Sequence, residues 1–254
     1  MPRHADRLRR SVISATLLVG AARGASAQAP PRVTNEAVHN WYALFGDHRL
    51  SERWAFTYDI QNRRADIPGA SWQQLLVRPA LTRAFGHGLR GTAGYAFVET
   101  HPYGEDAAPA RFPEHRLWQQ LALTQHVRAI TLAHRARLEQ RWIGVVPRPD
   151  IDPVRWQYAN RARYLLRATT PRLGALGGSY LTAYDEAFWS LGDAGAARRW
   201  EQNRAYVGLG VTFSPTWRAE AAYMEQRIWR AGGARLERNH TLMLTLFSST
   251  PIRR

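Results

Sequence analysis

The chain has no cysteine and no lysine, and it has no apolar run long enough to cross a bilayer as a helix. Each absence excludes something. Without Cys there is neither a disulfide framework nor thiolate chemistry. Without a run approaching ~20 apolar residues there is no transmembrane helix. Without Lys every basic side chain is Arg, a bias that a GC-rich genome produces as readily as a need for guanidinium chemistry. The formal charge of +15 is therefore no sign of nucleic-acid binding by itself, and no nucleic-acid motif accompanies it, so no nucleic-acid partner is expected. What the chain does have is aromatic residues, ten Trp and ten Tyr among 254 residues of modest overall hydrophobicity.

The first ten residues, MPRHADRLRR, are basic; SVISATLLVGAA is apolar but short; Ala25-Ser26-Ala27 ends the stretch in small residues. This is the layout of a secretory signal peptide, residues 1–27, expected to be cut after Ala27. Its removal takes away five Arg and Asp6 and lowers the formal charge from +15 to +11. Residues 28–37 read as a loose lead-in, and residues 38–254 as a single domain.

From there the chain falls into segments of alternating polarity. Trp54, Phe56, Tyr58 and Ile60 oppose Thr57, Asp59, Gln61 and Arg63. Leu75, Val77, Pro79 and Leu81 oppose Gln74, Arg78 and Ala80. His115, Leu117, Leu121 and Leu123 oppose Glu114, Arg116, Trp118, Gln120 and Thr124. Further on, Ala162, Tyr164, Leu166 and Ala168 oppose Arg161, Arg163 and Arg167, and Ala205, Val207, Leu209 and Val211 oppose Arg204, Tyr206, Gly208 and Gly210. Near the end, His240, Leu242, Leu244 and Leu246 alternate with Asn239, Thr241, Met243 and Thr245. A period of two over ten or more residues is the pattern of membrane-spanning strands.

HRARLEQRW, residues 134–142, tests that reading. Its residue types are good helix formers. As a helix it would scatter Arg135, Arg137, Glu139 and Arg141 around the cylinder; as a strand it aligns them on one face. The neighbouring segments favour the strand, because a helix there would leave them without partners.

Eleven segments can be marked: about 38–50, 54–63, 72–84, 89–99, 114–126, 130–142, 155–168, 175–187, 202–213, 217–229 and 236–247. Short turns at 50–54, 85–89, around Arg128, 169–175 and 213–217 alternate with longer polar loops at 64–71, 100–113, 143–153, 189–200 and 230–235. The expected fold is all-β: an antiparallel transmembrane β-barrel of the outer-membrane type, with short periplasmic turns and longer extracellular loops. Because bacterial single-chain barrels normally have even strand numbers, twelve strands are expected, with ten in reserve. A soluble sandwich is disfavoured, since its strands end sooner, at about five or six residues.

EHRLWQQL (114–121), RARLEQRW (135–142), NRARYLLR (160–167), QNRAYVGLGV (202–211) and NHTLMLTL (239–246), preceded by NWYALFGDHRLSERWAFTYDIQNR and LLVRPAL, resemble in order and spacing the bacterial family labelled domain of unknown function 2490. The resemblance covers nearly the whole chain after the leader. It implies an outer-membrane barrel of about this length and carries over no biochemical activity.

A barrel facing lipid turns its polar residues inward. Arg63, Arg78, Glu114, Arg116, Gln120, Arg135, Arg137, Glu139, Arg141, Arg161, Arg163, Glu186, Arg204 and Glu220 are the candidate charge network of the lumen. Two readings compete. In one, Arg and carboxylate groups interlock and plug the bore, because charges out of water need partners. In the other, surplus Arg leaves a narrow path for a small anionic solute. The first is preferred, since polar interiors are the rule in membrane barrels.

Catalytic signals are thin. A membrane barrel can carry a lipid hydrolase site of the phospholipase type, which makes Asn239-His240-Thr241 the alternative to consider. However, there is no Gly-x-Ser-x-Gly elbow, and no Ser stands where a strand would aim it with a His. No HExxH or paired ligand spacing supports a metal site. No catalytic residue, bound metal or cofactor is accordingly expected. The expected partners are outer-membrane lipid and, during insertion, the barrel-assembly machinery.

Overall fold

The computed structural model describes residues 33–66, 69–105, 107–174, 178–192, 200–230 and 233–252. The leader and residues 28–32 lie outside them. Among the described residues eleven strands succeed one another: β1 (Val33–Arg49), β2 (Trp54–Ala65), β3 (Ser71–Gly86), β4 (Leu89–Thr100), β5 (Phe112–Val127), β6 (Ile130–Val145), β7 (Arg155–Thr169), β8 (Ser179–Leu191), β9 (Trp200–Thr212), β10 (Trp217–Arg230) and β11 (Arg235–Ser248). Each pairs antiparallel with the next, and β1 also pairs with β11, so the sheet closes into a barrel. There is no α-helix among the described residues.

The strand count corrects the expectation of twelve, with ten in reserve. The even-number rule assumes that the closing pair is antiparallel like every other. Here β1 and β11 run the same way, in register from Val33↔Arg235 to Gly46↔Ser248. An odd number forces this, and the two chain ends can accept it because no connection has to join them. Strand β1 also begins at Val33, so residues 33–37, read from sequence as part of a loose lead-in, pair with Arg235–Asn239. The segment read at 175–187 corresponds to β8, which runs from Ser179 after Gly178 at φ 92°; residues 175–177 lie outside the described residues.

The segment at 134–142 lies within β6, a strand. Residues two apart share a face, and burial follows that period: Arg137 and Glu139 are buried while Ala136 and Leu138 are exposed. The tightest connections, residues 87–88 and 128–129, have two residues each. His87 and Gly88 stand at φ 49° and 78°, the left-handed pair of a primed turn, whose twist matches the strands it joins. A Cβ on Gly88 would lie 2.2 Å from the Thr124 backbone oxygen, whereas one on Gly86, also at positive φ, meets nothing within 4 Å. Gly88→Ala is therefore expected to cost about 1–3 kcal/mol and more than Gly86→Ala, read as a drop in the denaturation midpoint of the detergent-folded protein. Equal midpoints for the two variants would show that the turn relaxes freely.

Opposite Arg63 and Arg64 the β2–β3 register slips by one residue. The bulge lets consecutive residues Gln73 and Gln74 both reach interior partners: Gln73 accepts from Trp41 Nε1 at 2.8 Å, and Gln74 accepts from Arg63 Nη1 at 2.6 Å. Two apolar clusters occupy parts of the interior, one of Trp41, Ala43, Tyr206, Met224 and Met243, the other of Ala80, Ala96 and Trp118. Between them lie charges.

Candidate functional site

Strand register alone places like charges side by side. Arg116 lies directly opposite Arg141, and Arg137 opposite Arg163. Like charges directly opposite on one face repel, so each pair needs a counter-charge within reach. Glu114 serves the first pair. Arg116 donates to its two oxygens at 2.6 and 2.9 Å, and Arg141 at 2.5 and 3.2 Å. Glu139, one rung from the second pair and directly opposite Arg161, serves a larger group. It accepts from Arg161 at 2.6 and 2.9 Å and from Arg163 at 2.7 Å, and it stands 3.8 Å from nitrogens of both Arg78 and Arg137. The alternation of Arg and Glu along β6 is thus a device for holding four guanidinium groups, from three strands, around one carboxylate that is 1% exposed.

Glu186 extends the network. It accepts from Arg135 and Arg163, both at 2.7 Å, with Arg204 3.9 Å away. Asp59 takes Arg78, and Gln61 bridges Asp59 to Arg63. Glu220 is shared by Arg167 and the hydroxyls of Tyr180 and Tyr206, at 2.9 and 2.8 Å for the two phenols. Gln120 accepts from Arg137 Nε and Nη2 at 3.0 and 2.6 Å. The guanidinium groups outnumber these carboxylates, and aromatic faces take part of the surplus: Arg63 lies 3.9 Å over Trp41, Arg137 4.2 Å over Trp118 and Arg163 4.5 Å over Phe188.

All fourteen candidates from the sequence sit on the inward face, and the pairings above join most of them directly. The candidate set omitted Asp59, Gln61, Arg167, Gln73, the inward tyrosines Tyr180 and Tyr206, and Glu201, which stands 3.9 Å from Arg141 and 3.8 Å from Arg161. Parity had already set Asp59, Gln61 and Arg167 on the polar face beside chosen residues, but it does not tell which members of a face join the network. Gln73 could not be found that way, because a bulge reverses parity.

One end of the barrel carries the β4–β5 connection. Tyr103 from this segment turns inward, its hydroxyl 3.3 Å from Glu237 and its ring edge-on to His39 at 5.6 Å. Burial pushes the Tyr103 phenol above its usual pKa, so it stays a neutral donor to that carboxylate. Arg230 joins Glu237 at 2.5 Å. At the opposite end a cavity of about 550 Å³ enters the barrel, with Phe45, Arg78, Trp118, Arg135 and Arg137 in its lining.

The hydrolase candidate is divided between faces. His240 is on the outer face, with Nδ1 2.6 Å from the Tyr223 hydroxyl, while Asn239 and Thr241 on either side are buried inside. Outward His115 and His134 are occupied in the same way by Tyr95 and Tyr164, at 2.5 and 2.7 Å. Among the described residues no group of three or more His, Cys, Asp or Glu is placed to hold a metal ion.

The model of one protein family, described as protein of unknown function (DUF2490), matches residues 38–237. No curated protein matches the chain, and no solved structure matches it.

Proposed function

From the premise that this chain belongs to the DUF2490 family, we propose that it is an exported outer-membrane β-barrel with a structural role, its interior closed by its own Arg and carboxylate network. The observation that carries this reading is the inversion of the two faces. Glu139, Glu186 and Arg163 are buried, while Leu121 and Leu244 on the outer face are 58% and 54% exposed. A soluble monomer rarely exposes a continuous apolar belt, and a closed barrel satisfies its backbone without an edge, as a bilayer requires. Exposed Trp54, Trp72, Tyr95, Trp156 and Tyr158 suit the interfacial girdles of such a barrel.

In this reading outer-membrane lipid covers the belt, residues 1–27 direct export, and the barrel-assembly machinery inserts the chain. The end with the two-residue turns faces the periplasm. The phospholipase-type alternative has less support, because the His240 ring is taken up by Tyr223 and its two neighbours point the other way.

Closure by the network predicts that the purified protein, reconstituted in planar bilayers, inserts without conducting, and that unboiled and boiled samples migrate differently on a denaturing gel. Steady single-channel steps from the unaltered protein would replace the structural role with that of a channel. Recovery as a monomer from the soluble periplasmic fraction would remove the membrane reading altogether.

A further inference from the structure

We propose that the cavity at the end opposite Tyr103 is a binding site for a small oxyanion, carboxylate or phosphate, and that Arg137 is the group that captures it. The inference goes beyond a structural barrel, and it holds whether or not the barrel spans a membrane.

The first observation is charge. The lining of this cavity includes six Arg residues and two Asp residues, with no Glu and no Lys. Both Asp residues are already engaged, Asp47 with Arg90 through two hydrogen bonds of 2.5 and 2.9 Å and Asp59 with Arg78. The lining is left with more positive charge than it can neutralise.

The second observation is unmet hydrogen bonding at the floor. Arg78 and Arg137 are 5% and 7% exposed, yet Nε and Nη1 of Arg78 and Nη1 of Arg137 have no acceptor. Both Nη1 atoms stand 3.8 Å from the same Glu139 oxygen, too far for a hydrogen bond, and that oxygen already accepts from Arg163. A buried donor without an acceptor is costly. Two such guanidinium groups beside one cavity are a demand for an anion.

Arg137 differs from its neighbours in what holds it. Its hydrogen bonds go to the neutral amide of Gln120, and its planar face rests on Trp118. Arg135 is held by the Glu186 carboxylate and Arg78 by that of Asp59. Exchanging a neutral amide for an anionic oxygen strengthens the hydrogen bond, whereas taking a guanidinium away from a carboxylate does not. The unpaired nitrogens are covered as the side chains stand. An entering anion therefore meets the more exposed guanidinium groups of the lining first, Arg90 at 40% and Arg135 at about a quarter, and engages Arg137 by a rotation that releases Gln120. Phe45, Trp118 and Phe247 add apolar walls, and the volume of about 550 Å³ is in the range of small-molecule pockets.

The test is isothermal titration of the full-length protein, folded in a non-ionic detergent, with citrate and separately with inorganic phosphate. Saturable binding of at least one of them is expected, weakening as salt rises. Arg137→Gln should lower the affinity about tenfold or more, the loss of a hydrogen bond to a charged group. Ala122→Phe, which fills the cavity without removing a charge, should abolish it, and Arg227→Gln, remote on the outer face, should leave it unchanged. Gel mobility before and after boiling checks that each variant is folded. Absence of saturable binding by both anions, or binding that survives in folded Arg137→Gln and Ala122→Phe alike, overturns the proposal.

Discussion

Glu139→Ala is expected to destabilise the folded barrel by about 3–5 kcal/mol, the range for removing one partner of a buried ion pair. The size follows from what the carboxylate serves. It accepts three hydrogen bonds from Arg161 and Arg163 and lies 3.8 Å from Arg78 and Arg137, so its loss leaves four guanidinium groups facing one another in a closed interior. Arg137 and Arg163 are directly opposite in the sheet and cannot separate without breaking strand register. Glu139→Gln keeps an acceptor but removes the charge, and should fall between the wild type and Ala. Urea denaturation in detergent, followed by tryptophan fluorescence, measures the series. A cost below about 1 kcal/mol, the scale of a solvated surface pair, would mean that water screens the network.

One residue away, Leu138→Arg asks the complementary question. Leu138 is on the outer face and 48% exposed. If lipid covers that face, a charge there costs about 2–4 kcal/mol near the midplane, less toward either interface. If water covers it, the same substitution belongs to the surface class and stays within about 0.5 kcal/mol. The expected result is the large cost, seen as a lower unfolding midpoint and reduced recovery in the membrane fraction. Midpoints indistinguishable from the wild type would sink the membrane reading while leaving the barrel itself untouched. The two substitutions, on successive residues, thus separate the interior of the fold from its surroundings.

The sheet was largely legible because a period of two is a local property. Arg135, Arg137, Glu139 and Arg141 share a face whatever the rest of the molecule does, provided the segment is extended. The same holds for Arg161, Arg163 and Arg167, and the marked segments fall within a few residues of the strands observed. The signal fails in β1, where Trp41 and Tyr42 are adjacent aromatics on opposite faces, and at Gln73, where a bulge places two neighbours inside together. It also cannot tell which inward residues meet. Arg167, on the face chosen for Arg161 and Arg163, joins Glu220, fifty-three positions away along the chain.

The amino-acid sequence by itself determined the strands, their inward and outward faces, and an interior made of Arg and carboxylate groups, since each of these depends on residues two apart. The tertiary structure alone decided that eleven strands close the barrel, because the parallel seam of β1 on β11 joins the chain ends and leaves no mark in either segment. It likewise decided that Glu139 takes its hydrogen bonds from Arg161 and Arg163 of β7 while Arg137 hydrogen-bonds a neutral amide. Those pairings depend on the stagger between strands and on the length of each side chain across the interior, and such distances are fixed only once the sheet has closed.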